Sequence, residues 1–288
     1  MLVFAGAGWQ SNWFDVLQTN FMRNAFIGGA LVAVASGLVG YFVVVRRDAF
    51  ATHALAHIGF PGATGAVLVG APVTLGLAVF CTAGALAIGL LGKQAAKREI
   101  ATGSILALAT ALGVLFNSLA TRSAGTVTSV LFGNLLAISV DQLWTFLFFV
   151  IGLVAALAWI ARPLAFASLD PQVAEAKGVP VRALGTIFMV LLALVVTMAV
   201  QVVGTLLLFA LIVTPSATAL ALTARPVGAV LLAAGLGLFC VWGGLVLAAM
   251  FNLPPSFFIV VLAFGAWLAT LAMSIMFERR EVVPVGDR

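Results

Sequence analysis

The only two histidines in the 288-residue chain, His53 and His57, lie four residues apart. On a helix this spacing places both imidazoles on one face, and neutral imidazole is a good ligand for divalent transition metals. The pair therefore predicts a site that binds such an ion transiently, with Asp48 as a weaker candidate ligand that lies off this face. For either histidine taken alone, ordinary packing is the simpler interpretation.

The segment that carries the histidines belongs to a strongly apolar chain. Hydrophobic residues make up 64% of the sequence and charged residues only 8%, against about 25% charged residues in soluble domains. Apolar runs recur from Asn24 to Phe277, each close to the roughly 20 residues that cross a bilayer. The sequence predicts an all-α polytopic membrane protein, in which an ionisable side chain at membrane depth marks a substrate path.

The apolar runs predict about nine transmembrane helices within one transmembrane domain, 24–277, and their boundaries leave room for eight or ten. An interfacial segment at 1–23 precedes this domain, because Trp9 and Trp13 suit the headgroup level, and a cytoplasmic tail at 278–288 follows it. Glycine and proline make the second and seventh spans candidates for broken or tilted helices. The predicted spans are 24–45, 51–70, 72–92, 100–120, 140–161, 183–201, 204–223, 227–250 and 254–277.

The positive charges predict which side of the membrane each connection faces, because lysine and arginine concentrate in cytoplasmic connections. Of the 14 such residues in this chain, only Arg23 and Arg122 fall on the side opposite to the rest. The bias places the N-terminus outside and the C-terminus in the cytoplasm. It also explains the net charge of +5 without a nucleic-acid site.

The connection at 162–182 is long enough to hold a short helix. Asp170 followed by Pro171 suits an N-cap and the first helical position, and Gly178 suits a helix end. Two helical turns are marginal in isolation, so docking to another molecule would account for them. The segment is either a coupling helix for a cytosolic partner or a plain amphipathic connector.

A second long connection, 121–139, is predicted on the external side. It is too polar at its start to cross the membrane and too apolar at 130–138 to be a free loop. The segment is either a helix that lies on the protein or membrane surface, or a lid near the place where substrate enters.

Five stretches, in order along nearly the whole chain, carry a family resemblance. They are FMRNAFIGGALVAVASGLVGYFVVVRRDAFATHALAHIGFPGATGA at 21–66, REIATGSILALATALGVLF at 98–116, LFGNLLAIS at 131–139, SLDPQVAEAKGVP at 168–180 and QVVGTLLLFALIVTPSATA at 201–219. At this spacing, they resemble the zinc, manganese and iron permease family of ABC transporters.

The resemblance implies a vitamin-B12-importer-like fold in the bacterial cytoplasmic membrane, and a homodimer around a central path. It also implies two partners, a cytosolic ATPase that contacts 168–180 and an extracytoplasmic metal-binding protein. The residues expected at the ATPase contact are Asp170, Pro171, Glu175, Ala176 and Gly178. An aspartate is common in the family where this chain has His53. A His/His pair is softer than Asp/His, which favours zinc as the transported ion and leaves manganese and ferrous iron open.

No residues are placed to hydrolyse ATP or to catalyse another reaction. The sequence lacks a GxxxxGK[ST] phosphate loop, and its spans hold almost no carboxylates. We therefore expect a permease without ATPase activity of its own and without a permanently bound cofactor. The alternative is an ion-coupled secondary carrier that uses His53 and His57 as a relay, although such a carrier would usually place more carboxylates in its spans.

Overall fold

The fold is described by a computed structural model that covers residues 13–91, 95–120 and 124–281. Over these residues the regular structure is helical, as predicted. A 3-10 turn, Leu135–Ala137, follows the sixth helix. The α-helices, numbered in chain order, are α1 (Trp13–Leu17), α2 (Asn20–Val45), α3 (Ala49–Val69), α4 (Val73–Leu91), α5 (Ala95–Leu119), α6 (Ala124–Phe132), α7 (Val140–Leu169), α8 (Pro171–Ala176), α9 (Val181–Val203), α10 (Thr205–Leu222), α11 (Pro226–Phe251) and α12 (Pro255–Glu281).

Each predicted span coincides with one of the long helices α2–α5, α7 and α9–α12. Within the described ranges, 7 of these helices are long and apolar enough to cross a membrane, namely α2, α4, α5, α7, α9, α11 and α12. The other two are α10, which has 18 residues from Thr205 to Leu222, and α3, which includes both histidines together with Pro61 and several glycines.

The second and seventh predicted spans are both continuous helices. α3 is a continuous helix through Pro61, so the break considered for the second span is not found. The seventh span is also unbroken, because Gly204, with φ +85°, lies at its start and separates α9 from α10. Pro215 lies inside α10 without ending it.

Helices α2 and α9 form the centre of the bundle. Within the apolar windows of these two helices, 67% and 61% of the residues are buried, against 17% in each of α5 and α12. α2 packs closely on α11 at Gly37, where an added Cβ would lie 2.5 Å from the backbone of Ala234. Small residues permit such close approach. α5 and α12 present most of their surface outward, to lipid or to another chain.

The connection at 121–139 is anchored to the helix ends around it. α6 and the 3-10 turn occupy much of it. The Asn134 N–H donates to the Gln201 carbonyl at 3.2 Å, and Asn24 Nδ2 donates to the Ile138 carbonyl at 3.1 Å. In this conformation residues 124–139 lie on the protein, which agrees with the first of the two interpretations, and residues 121–123 fall outside the described residues.

The predicted terminal segments are only partly covered. α1 lies within the segment 1–23, and residues 1–12, which include Trp9, fall outside the described residues. α12 extends to Glu281, so the predicted tail at 278–288 begins as a helix. Residues 282–288 of that tail also fall outside the described residues.

Candidate functional site

The helix that carries His53 and His57, α3, packs closely against α4. Gly62 of α3 and Gly76 of α4 face each other at this contact, and a Cβ added to either would collide with the carbonyl group of the other. Such close packing needs glycine on both helices. It fixes the rotation of α3 about its axis, and therefore the direction of its histidine face.

The two imidazoles lie side by side, as their spacing predicts. Their ring centroids are 4.7 Å apart and their planes meet at 68°. Both side chains are half-buried. At this separation each ring can contribute one nitrogen to the same ion.

A third ring, Phe209 of α10, completes the cluster. Its centroid lies 6.1 Å from that of His53, and the two planes meet at 86°. Phe209 is 38% exposed, so its ring borders open space as well as the imidazole. The sequence does not predict Phe209 as part of the site, because it is one of 22 phenylalanines and is far from the histidines along the chain.

One copy of the chain offers few metal ligands. Among residues 13–91, 95–120 and 124–281, no group of three or more His, Cys, Asp and Glu side chains could hold a metal ion. Cys81 and Cys240 are free thiols buried inside the bundle. Two imidazoles are fewer than the four ligands of a structural zinc site, so this arrangement suits reversible binding.

The weaker candidate ligand, Asp48, forms an ion pair. Its Oδ2 lies 3.0 Å from Arg46 Nε, and its side chain has an exposed fraction of 0%. Asp48 is also the residue immediately before α3. Its role as a metal ligand stays a prediction, and its contact with Arg46 gives it a structural role at the start of the histidine-bearing helix.

The segment at 168–180 folds as its sequence predicts. Asp170 caps α8, because its carboxylate accepts a hydrogen bond from the Val173 N–H at 3.0 Å, and Pro171 occupies the first position. Gly178 follows the helix with φ +81°, and its N–H donates to the Glu175 carbonyl at 3.0 Å. The shape of this helix is confirmed, whereas its contact with an ATPase stays a prediction.

The surface of α8 and of the end of α7 before it is exposed and partly apolar. Leu169 and Val173, four residues apart, are 77% and 43% exposed. Glu175 and Ala176 are exposed beside them. Leu169 was not singled out from the sequence, because a leucine at this position is indistinguishable from the end of an apolar span. No spacing in the sequence identifies it, because Asp170 separates Leu169, the last residue of α7, from α8.

A cavity of about 240 Å³ opens between the ends of α4, α7 and α9 that are predicted to face outside. Hydroxyl and amide groups contribute to its lining, among them Thr74, Asn134 and Gln201. Thr74 Oγ1 donates to Gln201 Oε1 at 2.9 Å. These neutral groups differ in kind from the imidazole pair, so the two histidines remain the candidate metal ligands.

Comparison with known proteins agrees with this fold. A manganese transport system membrane protein, MntC, from Listeria innocua serovar 6a is 31% identical over 93% of this chain and 97% of its own length. A manganese import system permease protein, ScaB, from Streptococcus pneumoniae is also 31% identical, over 85% of this chain and 87% of its own. Both relatives match the chain over most of their length.

A solved structure extends the likeness to three dimensions. The structure of PsaBC from Streptococcus pneumoniae in complex with Fab contains a chain that superposes with a TM-score of 0.80 at 28% identity, over 90% of this chain and 94% of that one. The resemblance to ABC permeases for metal ions is thereby confirmed, as is a multi-pass protein of the bacterial cytoplasmic membrane. The profile of the ABC 3 transport family matches residues 18–274, and the chain therefore belongs to that family.

Proposed function

We propose that the chain is the membrane-spanning permease of an ATP-driven importer of a divalent transition metal, and that His53 and His57 bind the metal transiently on its way. The observation that carries the proposal is the pair of imidazoles, with centroids 4.7 Å apart, on a helix of 21 residues. Polar groups at membrane depth are costly. Transient binding of a metal ion gives this pair a function that explains why two imidazoles lie at this depth despite that cost.

Manganese is the favoured cargo. The softness of two imidazoles favours zinc, but the relatives are named for manganese transport or import. Manganese binds a given set of nitrogen ligands more weakly than zinc does, and a transport path needs ligands that release the ion. A site of two histidines would release manganese quickly and hold zinc longer. Weak binding and the manganese named for the relatives therefore both favour manganese as the transported ion.

A second copy of the chain completes the path. One copy supplies two nitrogen ligands on one side of the path, and a two-fold axis would place a second His53 and His57 pair on the opposite side, so that each pair in turn can hold the ion. The helices available for this contact are α5 and α12, because only 17% of the apolar window of each is buried within one copy. The exposed faces of α5 and α12 provide a contact surface for the homodimer that the sequence resemblance implies, and the second histidine pair gives that dimer a function.

Phe209 closes the path beside the histidines. Hydrophobic side chains at a constriction stop ions by excluding water, and the Phe209 ring lies against His53 with centroids 6.1 Å apart. Phe209 belongs to α10, which begins directly after the break at Gly204. Discontinuous helices are the elements that move in many transporters. Movement of α10 would carry the ring away from His53 and open the path.

Energy comes from a cytosolic ATPase that docks on α8. Leu169 and Val173 provide an apolar contact, since both are substantially exposed, and Glu175 provides a charged one. Closure of the ATPase pair on ATP moves α8 and exposes the level of the histidines first to one side of the membrane and then to the other. An extracytoplasmic metal-binding protein delivers the ion to the outer face.

ATP-dependent manganese uptake tests this function. The permease is reconstituted in vesicles with a partner ABC ATPase from the same organism, and uptake of radiolabelled manganese is followed. Uptake that requires ATP and persists when proton and sodium gradients are abolished supports the proposal. Uptake that follows either gradient without the ATPase would establish the ion-coupled carrier instead.

A further inference from the structure

Arg46 lies in the turn between α2 and α3, where the backbone is closely defined. The Arg47 N–H donates to the Val44 carbonyl at 3.1 Å, and the Asp48 N–H donates to the Val43 carbonyl at 2.8 Å. This pair of bonds is the Schellman pattern of a helix end. Arg47 holds the left-handed conformation that such an end requires, with φ +58°. The turn therefore fixes the direction in which the Arg46 side chain points.

The Arg46 guanidinium joins three helices. Its Nε donates to Asp48 Oδ2 at 3.0 Å, directly before α3. Its Nη1 donates to Ser168 Oγ at 3.4 Å, near the end of α7. Its Cζ lies 5.4 Å from the ring centroid of Phe188 in α9, within the range of a cation–π contact. One side chain thus connects the start of the histidine-bearing helix to two others.

Those two others, α7 and α9, are the helices directly before and after α8. Ser168 lies two residues before Asp170, which caps α8, and α8 packs against α7. On α9, a Cβ added to Gly185 would lie 3.1 Å from Arg46 Nη2, so glycine leaves room for the guanidinium. A displacement of α8 therefore reaches Arg46 through both of its flanking helices.

Burial makes Arg46 and Asp48 move together. The exposed fraction of the side chain is 11% for Arg46 and 0% for Asp48, and separating two opposite charges at such burial is costly. The Thr52 hydroxyl donates to the Asp48 carbonyl at 3.0 Å, which ties Asp48 to the first turn of α3. His53 is the next residue after Thr52, so movement of the guanidinium is passed to the histidine face.

We propose that Arg46 is a positioning residue that transmits movement of the ATPase-docking helix α8 to the histidine-bearing helix α3. The inference deepens the proposed function and rests on it, since it takes α8 as the ATPase contact and the two histidines as metal ligands. Arg46 belongs to neither contact. Its substitution therefore separates ATP hydrolysis from metal transport while both sites are kept.

Three variants test this assignment in vesicles that contain the permease and its ATPase. Arg46→Met combined with Asp48→Asn removes both charges, so that no carboxylate is left buried without its partner. Arg46→Lys keeps Asp48, the weaker candidate metal ligand, and a charge opposite it, but lacks the planar fork that also reaches Ser168. A lowered ratio of uptake to hydrolysis in this variant therefore does not come from the loss of a ligand. Arg47→Met is the matched control, because Arg47 is the exposed neighbour in the same turn.

ATP hydrolysis and manganese uptake are measured in the same vesicles. We expect the double variant to hydrolyse ATP at the wild-type rate while the manganese transported per ATP falls by about tenfold or more, because the two processes are linked only through a coupling element. Arg46→Lys is expected to give an intermediate ratio and Arg47→Met the wild-type ratio. An unchanged ratio in the double variant, or a proportional fall of uptake and hydrolysis, would overturn the proposal and leave a purely structural ion pair.

A second readout is independent of the cargo. The His57→Cys variant reports access to this level by its rate of reaction with a water-soluble maleimide, since Cys81 and Cys240 are buried. We expect ATP to change this rate when Arg46 and Asp48 are intact, and to have no effect when both are substituted. The same ATP response in both backgrounds would overturn the proposal. The wild type could instead transport no manganese and still show an ATP response that depends on Arg46. That result would contradict manganese as the cargo and support the role of Arg46 in passing movement from α8 to α3.

Discussion

At the scale of single residues, His53 offers a way to alter metal preference. Replacing it with aspartate exchanges an imidazole nitrogen for a carboxylate oxygen, and oxygen ligands suit manganese better than nitrogen ligands do. We expect His53→Asp to raise the ratio of manganese to zinc uptake by roughly threefold or more, measured with both radiolabelled ions in the same vesicles. The control is Thr64→Val on the same helix, because the Thr64 hydroxyl bonds to the Phe60 carbonyl at 3.1 Å within α3. An equal shift in the control would show that the effect is not due to ligation.

Phe209 can be tested as a barrier. Phe209→Ala removes the ring that lies against His53, so water and ions gain access to the imidazoles. We expect ATP-independent manganese leak from loaded vesicles to rise by about tenfold, since dewetting of the constriction is lost. Phe209→Leu keeps an apolar side chain and is expected to stay closed. A wild-type leak rate in the alanine variant would mean that the barrier lies elsewhere.

The histidine pair and the aromatic ring differ in how visible they are in the sequence. The chain has 2 histidines, and helical periodicity alone places residues four apart on one face, so the pair could be predicted. Phe209 belongs to another helix, and its contact with His53 depends on how α10 packs beside α3. Asp48 contacts Arg46, which is close in the sequence. The contacts of Arg46 with Ser168 and Phe188 join residues that are distant in the chain, so the sequence alone does not predict them.

At the scale of elements, α8 is the segment most easily tested. Glu175→Arg reverses a charge on the exposed surface of α8, and like charges introduced at a contact weaken association. We expect the variant to insert normally into the membrane but to retain about a tenth or less of its ATPase in co-purification. Gln172→Ala, on the same exposed helix, is the matched control. Undiminished ATPase binding by Glu175→Arg would count against docking at this helix.

The crossing of Gly133 and Gly204 is a second element that permits a sharp prediction. Both glycines have positive φ, at +75° and +85°, and a Cβ added to either would collide with the backbone of the other segment. We expect Gly204→Ala to lower the free energy of unfolding by about 3 kcal/mol or more, measured as a lower Tm in detergent. Gly152→Ala in α7 is the control, because an added Cβ there meets nothing within 4 Å and alanine favours a helix. Equal Tm values for the two variants would contradict the close crossing.

Helix ends were predictable where a local motif specifies them. Asp170, Pro171 and Gly178 bound α8 as expected, because capping and a left-handed glycine act within a few residues. The end of α2 was different, since Arg47 takes a conformation in which glycine is usual. The crossing of Gly133 with Gly204 was also invisible, because it joins segments that are distant in the chain.

At the scale of the whole molecule, the two helices that meet at the candidate site both contain an interior proline. α3 carries the histidines and Pro61, and α10 follows the break at Gly204. Departures from the ordinary sequence preferences of a helix tend to occur at functional sites. The positions of the long helices followed from apolar runs, whereas the packing of α3 between α4 and α5, and the burial of α2 and α9, depend on tertiary contacts that a single sequence does not specify.

The claim that the metal passes the histidine pair is tested most directly by manganese uptake. The double variant His53→Ala with His57→Ala is compared with the wild type in vesicles that contain matched amounts of permease and ATPase. We expect ATP-driven uptake to fall to roughly the background rate, because the path loses its ligands, while the ATPase remains bound. Uptake at the wild-type rate in this variant would contradict the account and assign the two imidazoles to packing.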